Sequence, residues 1–215
     1  TPLFYKETVK IVNNYSASNI IVSKFNNQLE IENTKNFVGQ DLFQSGRIAA
    51  SLMRIITPEN CNIAIIHIDE DYNNSIHMQE KEKGFRTYFS ELKNTNYRLS
   101  TFSSKNTDLQ NTLNDILKSS KNLTGIFVTT SKTYMVAEII KEKNIKIIGY
   151  DLLDQNIEYL KKNLISFLIH QNPKKQVFLG LTYLVEHLLF NKEIPSKSLI
   201  PIDIINAENL ELYLQ

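Results

Sequence analysis

The chain has one cysteine, no tryptophan, five prolines and six glycines in 215 residues, and its charges nearly cancel. Each shortage removes a class of protein. A single thiol, Cys61, cannot close an internal disulfide, so the fold must rest on an apolar core, and the residue itself reads as a small buried side chain. A lone cysteine suits a reducing compartment, and the cytoplasm is the expected location. The 24 Lys and Arg against 23 Asp and Glu leave a formal charge of +1, which gives these residues no field for gathering DNA, RNA or anionic lipid. Glycines stand at 39, 46, 84, 125, 149 and 180, and no two have the spacing of a dinucleotide-binding or Walker-type phosphate loop. There is no G-x-S-x-G elbow, no H-E-x-x-H and no cysteine cluster, so neither an activated serine nor a zinc site is offered. His67, His77, His170 and His187 have no partner nearby in sequence and read as structural; no metal and no cofactor is expected. No apolar run reaches the roughly 18 residues of a membrane span, and Thr1-Pro2-Leu3-Phe4 lacks the charged start of a secretory signal.

What is present is a core and a rhythm. A hydrophobic content of 42% is enough for one large domain or two small ones. Runs rich in Ile and Val alternate with segments of helical period, the pattern of an α/β fold whose parallel strands carry helices on their faces. Strands are predicted near 19–25, 36–40, 62–68, 97–102, 124–129, 145–150, 165–170 and 199–204. Helices are predicted near 5–16, 42–57, 75–93, 107–119, 132–143, 152–162, 173–191 and 207–213. Pro58 stops the second helix, and Pro173 opens the seventh at its first turn, where a missing N–H costs nothing. Val177, Phe178, Leu181, Leu184, Val185 and Leu188 are the expected buried face of that seventh helix. The residues at 1–4 read as a strand end or the loop after it, as though the chain starts inside a βαβ series.

Five of the predicted strands finish on polar side chains: Asp41, Asp69, Thr129 with Thr130, Asp151 and Gln171. In a parallel sheet the carboxyl ends of the strands form the crevice where small molecules bind, and carboxylates and amides there can pair with hydroxyls or amines. Asp41 and Asp151 have the chemistry of a general acid and base, but no nucleophile accompanies them and no enzyme is expected. Capping of the next helix is the alternative role for each. The run Glu80-Lys81-Glu82-Lys83 reads as a solvated helix face of alternating sign.

The segment Asp41-Leu42-Phe43-Gln44-Ser45-Gly46-Arg47-Ile48-Ala49-Ala50 resembles the D-x-x-x-x-G-x-x-A-A stretch in the effector domain of LacI-family transcription regulators and ribose-type periplasmic binding proteins. Lys83-Gly84-Phe85-Arg86, Ile147-Ile148-Gly149-Tyr150-Asp151, Ile169-His170-Gln171-Asn172-Pro173 and Pro201-Ile202-Asp203 with Glu208-Asn209-Leu210 match further family segments in order. The resemblance implies a two-lobed type I fold with an incomplete amino-terminal lobe. One lobe would hold 1–60 plus 172–198 and the other 61–171 plus 199–215, with crossings near 57–62, 163–172 and 192–199. It implies a sugar or similar polar effector gripped between the lobes by Asp41, Asp151 and Gln171. Asn26 stands where many sugar binders have Asp, Lys81 where the family has Arg, and Thr130 in place of Asn; surface charge is the alternative reading of Lys81. Asp69, read from its strand end, completes the candidate ligand set. The whole protein would be a homodimer reaching DNA through a domain absent from this chain, with Leu42, Phe43, Arg47 and Met53 on a candidate dimer face. A periplasmic sugar-binding protein of a transporter or signalling receptor is the other reading.

Overall fold

A computed structural model describes residues 5–18, 20–26, 36–70, 72, 75–93 and 95–214. In chain order the elements are α1 (Tyr5–Ala17), β1 (Ser23–Phe25), β2 (Asn36–Gly39), α2 (Leu42–Ile56), β3 (Asn62–Ile68), α3 (Ile76–Ser90), β4 (Arg98–Ser104), α4 (Leu109–Ser119), β5 (Leu123–Val128), α5 (Thr133–Ile140), β6 (Lys146–Tyr150), α6 (Asp154–Lys161), β7 (Phe167–His170), α7 (Pro173–Phe190), β8 (Ser198–Leu199) and β9 (Asp203–Ile205). Two sheets result. One has the order β4-β3-β5-β6-β7-β9, parallel except for the β7–β9 pair; the other is β1-β2-β8, all parallel.

The alternation of residues in the larger sheet decides which helix covers which face. Ala64, Ile66, Ile68, Ile126, Val128, Ile147 and Leu168 point one way, into a core closed by α4, α5 and α6. Ile63, Ile65, Phe127, Ile148, Tyr150 and Ile169 point the other way, against Ala49, Ala50 and Met53 of α2 and Phe85 and Phe89 of α3. Both faces are therefore dry, which is why these strands are apolar throughout rather than alternately polar.

That packing corrects the expected division at residue 60. Helix α2 lies on the larger sheet, where its Ala49-Ala50-Met53 stripe is buried against Ile63, Ile65, Phe127 and Ile148. The chain thus crosses between sheets at Gln40–Asp41, and not at 57–62, where α2 and β3 already share one core. It returns after Gln171 and crosses again around Pro201. The expected strand 199–204 is two short strands in different sheets, since Pro201 has no N–H for a ladder and separates β8 from β9. The candidate dimer face is also revised: Leu42 and Met53 are buried inside the chain, and Arg47 forms a two-pronged ion pair with Glu91, with contacts of 3.0 and 2.7 Å.

Helix α7 is turned opposite to expectation. Gln176 and Gly180 are its buried residues, and Tyr183 donates to or accepts from Ser198, whereas Phe178, Leu181, Leu188 and Leu189 are exposed. The three-stranded sheet meets only one side of the helix, and its apolar side has no cover among the described residues. The expected last helix is a 3-10 turn at Leu210–Tyr213, and the expected readings of residues 1–4 and Asn19 fall outside the described residues.

Helices α2 and α3 interlock through two glycines. A β-carbon at Gly46 would sit 1.9 Å from the Lys81 carbonyl oxygen, and one at Gly84 would sit 2.0 Å from the Phe43 carbonyl oxygen. Both obstacles are backbone, so neither can swing aside. Gly84→Ala is expected to lower unfolding free energy by ~1–3 kcal/mol in urea denaturation. Gly180→Ala, whose β-carbon would be 3.5 Å from Ser23 Oγ, is expected to be neutral or stabilising by ~0.5–1 kcal/mol.

Candidate functional site

With both faces of the larger sheet covered, polar side chains collect where its strands end. The last residues of β3 and β6 run into Asp69 (φ 63°) and Asp151 (φ 66°), and β1 runs into Asn26 (φ 65°). Asp and Asn tolerate this left-handed turn better than other side chains, so a strand that must stop sharply recruits the groups that also bind ligands.

Asp151 and Gln171 are brought together. Gln171 Nε2 donates to Asp151 Oδ2 at 2.8 Å, and the Gln171 backbone N–H donates to Oδ1 at 3.3 Å. Each carboxylate oxygen keeps a further lone pair for a ligand. Gln171 is itself held by Gln176, whose Nε2 donates to the Gln171 carbonyl at 2.7 Å.

Lys81 corrects the solvated-face reading of the run 80–83. Its side chain is 1% exposed, with Nζ donating to the Thr129 carbonyl at 3.1 Å and lying 3.6 Å from the centre of the Tyr150 ring. Burial pulls the amine down to about 8, against the opposing fields of Asp151 and Glu70. Glu82 is buried as well, bonded to His67 Nε2 at 2.8 Å, to Arg86 Nε at 2.6 Å and to the Thr101 hydroxyl. Desolvation would raise its carboxyl, but these three donors outweigh it and hold the group at about 2. His67 Nδ1 then reaches Thr129 Oγ1 at 2.6 Å. Two of the four charges in that run therefore belong to a buried network under the strand ends.

The other candidates divide. Thr130 is buried, and its carbonyl and hydroxyl bond within its own loop, to Thr133 and to the Lys132 N–H. Asp69 is committed to a surface tie: its carboxylate takes the Asn106 N–H at 2.6 Å and an ion pair with Lys132, which lower its pKa. Asp41 is exposed and caps α2, accepting the Gln44 N–H at 2.9 Å. Asn26 ends β1, its N–H bonded to the Val38 carbonyl at 3.1 Å. The carboxyl ends of the two sheets meet through Gln40, whose Nε2 donates to the His170 carbonyl at 3.0 Å and the Pro201 carbonyl at 2.8 Å.

Three positioning groups escaped the sequence reading. Fully buried Asn156 donates to the Ser131, Tyr150 and Asp151 carbonyls and accepts from the Tyr134 N–H, fixing the turn that carries Asp151. Ser45 of α2 bonds the Tyr150 hydroxyl at 2.9 Å, and burial pushes that phenol well above its usual range. Gly149 leaves room for Thr133, whose hydroxyl would lie 1.9 Å from a β-carbon there. Asn156 left one usable signal, an amide in a helix otherwise packed through Ile157 and Leu160. Among the described residues no group of His, Cys, Asp and Glu could hold a metal ion, and no helix is long and apolar enough to cross a membrane.

The family model for the periplasmic binding protein domain matches residues 1–193. The chain belongs to that family. Its α/β architecture of mostly parallel sheets is the periplasmic-binding-protein-like fold. A solved structure described as a LacI transcriptional regulator from Bacteroides fragilis is 26% identical, with a TM-score of 0.90 over 98% of this chain and 75% of that one. A glucose-galactose binding protein from Geobacillus stearothermophilus is 20% identical, with a TM-score of 0.84 over 96% and 74%. A transporter solute-binding protein from Burkholderia graminis, solved with D-arabinose, is 16% identical, with a TM-score of 0.85 over 95% and 73%. No curated protein sequence matches.

Lys81 has a folded pKa near 8 against 10.5 for the free side chain, so the folded state binds fewer protons between those values. Stability from this group must therefore rise with pH across that window, with the full cost of the buried charge felt below it. Lys81→Met should remove that slope. The stability advantage of the variant over the parent is expected to shrink by about 3 kcal/mol between pH 8 and 10.5, measured by denaturant unfolding.

Proposed function

We propose that this chain binds a sugar or similarly polyhydroxylated molecule between its two sheets and does so as the effector-sensing part of a LacI-type transcription regulator. The observation that carries the binding reading is the Asp151–Gln171 pair, a carboxyl acceptor held at a crossing between sheets, with the buried Lys81 amine close enough to feel it. A carboxylate beside a cation suits vicinal hydroxyls, which need one strong acceptor and one donor. Asn26 and Asp41, at the ends of the β1 and β2 strands, are the proposed contacts from the smaller sheet, with Thr130 and Asp69 at the margin. The lobes proposed around this cleft follow the two sheets.

The regulator reading is supported by the Bacteroides fragilis relative, the most similar in sequence of those described above. It implies a cytoplasmic homodimer that meets DNA through a domain outside these 215 residues, and binding without turnover of the sugar. The second reading, a solute receptor, is supported by the sugar-binding proteins from Geobacillus and Burkholderia. Operator binding by the full gene product that changes with sugar would favour the first; export of the gene product from the cytoplasm would favour the second.

A thermal-shift panel of pentoses and hexoses, followed by calorimetry, tests the shared core of both. Asp151→Ala is expected to weaken the best sugar by ~1.5–3 kcal/mol, about 10- to 100-fold in Kd. Unchanged affinity would remove Asp151 from the site.

A further inference from the structure

Gln40 occupies a place that no strand-end argument assigns. Its carboxamide is 2% exposed and lies where β2 leaves the smaller sheet for α2. One nitrogen donates to two carbonyls, those of His170 and Pro201, which belong to the other two crossings. The Ile200 N–H bonds the Gly39 carbonyl at 2.9 Å beside it, so all three passages between the sheets are fastened around a single side chain. Because Nε2 already serves two acceptors, the orientation of the amide is fixed by chemistry: reversing it would set an oxygen against two carbonyl oxygens. Its own oxygen is buried without a donor, and so are His170 Nδ1 and Gln176 Oε1 at the same passages.

From here hydrogen bonds joined by the His170–Gln171 peptide link reach the candidate ligand group. Gln40 holds His170; the next residue, Gln171, holds both oxygens of Asp151; Gln176 holds Gln171 in turn. A shift of one sheet against the other must move or break a bond to Gln40, and the residue that would register it is the partner of Asp151.

We propose that Gln40 is a positioning residue that couples the relative placement of the two sheets to the geometry of Asp151. The role in ligand response rests on the binding reading above, but the coupling itself is measured without any ligand. Residue-resolved amide exchange by NMR on the whole chain is the first test. In Gln40→Met, which keeps length and volume but has no donor, the Gln171 and Ile200 amides are expected to exchange at least tenfold faster, while Ile65 and Phe127 in the core keep their rates. A uniform acceleration would mark Gln40 as merely structural, and unchanged rates would show that it fastens nothing; either overturns the proposal. A reciprocal measurement covers the case in which Gln40→Met does not fold. Asp151→Ala is expected to move the side-chain amide resonances of Gln40, although no bond joins the two residues, and resonances that stay in place would refute the coupling. If the coupling holds while no sugar binds, the binding reading fails and this one stands.

Discussion

A parallel sheet covered on both faces can show polar chemistry only at its ends, and that constraint organises the whole larger unit. The residues of β3, β5, β6 and β7 are buried between α2 and α3 on one side and α4, α5 and α6 on the other. Hydrogen-bonding side chains are excluded from the strand middles unless fully partnered. Asp69, Thr129, Thr130, Asp151 and Gln171 therefore fall along one edge, and what distinguishes them is how each is already engaged. Asp69 is spent on Lys132 and Asn106, whereas Asp151 has one partner and remains able to accept more.

The same constraint explains why the buried charges sit where they do. Lys81 and Glu82 face inward from α3 beneath the strand ends, where Thr129 offers both a carbonyl and a hydroxyl. Of the two, Glu82 has an ion-pair partner, Arg86 Nε at 2.6 Å. Glu82 is satisfied by three donors, while Lys81 has one carbonyl, an aromatic ring and the more distant fields of Asp151 and Glu70. The unequal support leaves the lysine as the weaker member and the one whose protonation the site can influence.

Element type and order were legible because apolar runs and helical periods are local. The positions of β3, α4, β5, β6 and α7 follow the expected ranges within a few residues. What was not legible required knowledge of neighbours. The stripe of α2 says that the helix is buried but not on which sheet. The apolar side of α7 looks like a core face until the sheet beneath it proves to be three short strands. Lys81 lies in a run of alternating charge, which is what a solvated helix surface also looks like, and only the approach of Gly46 to its backbone reveals that α2 covers it. In the candidate site, Asp151 and Gln171 were visible as strand ends, whereas Asn156, Ser45 and Gln40 act through contacts distant in sequence.

The scarcity of glycine has a structural meaning. None of the six glycines has a positive φ, and the seven left-handed positions among the described residues are all Asn or Asp. Turning and close packing have been divided between different amino acids. Mutational drift should then be unequal across the chain: the tight bends retain a permissive replacement, since glycine relaxes them, while the helix-contact glycines at 46 and 84 have no smaller residue to fall back on. Engineering for heat tolerance would have its free choices at the bends outside the candidate site, such as Asn60, Asn163 and Asn191, and none at that helix crossing.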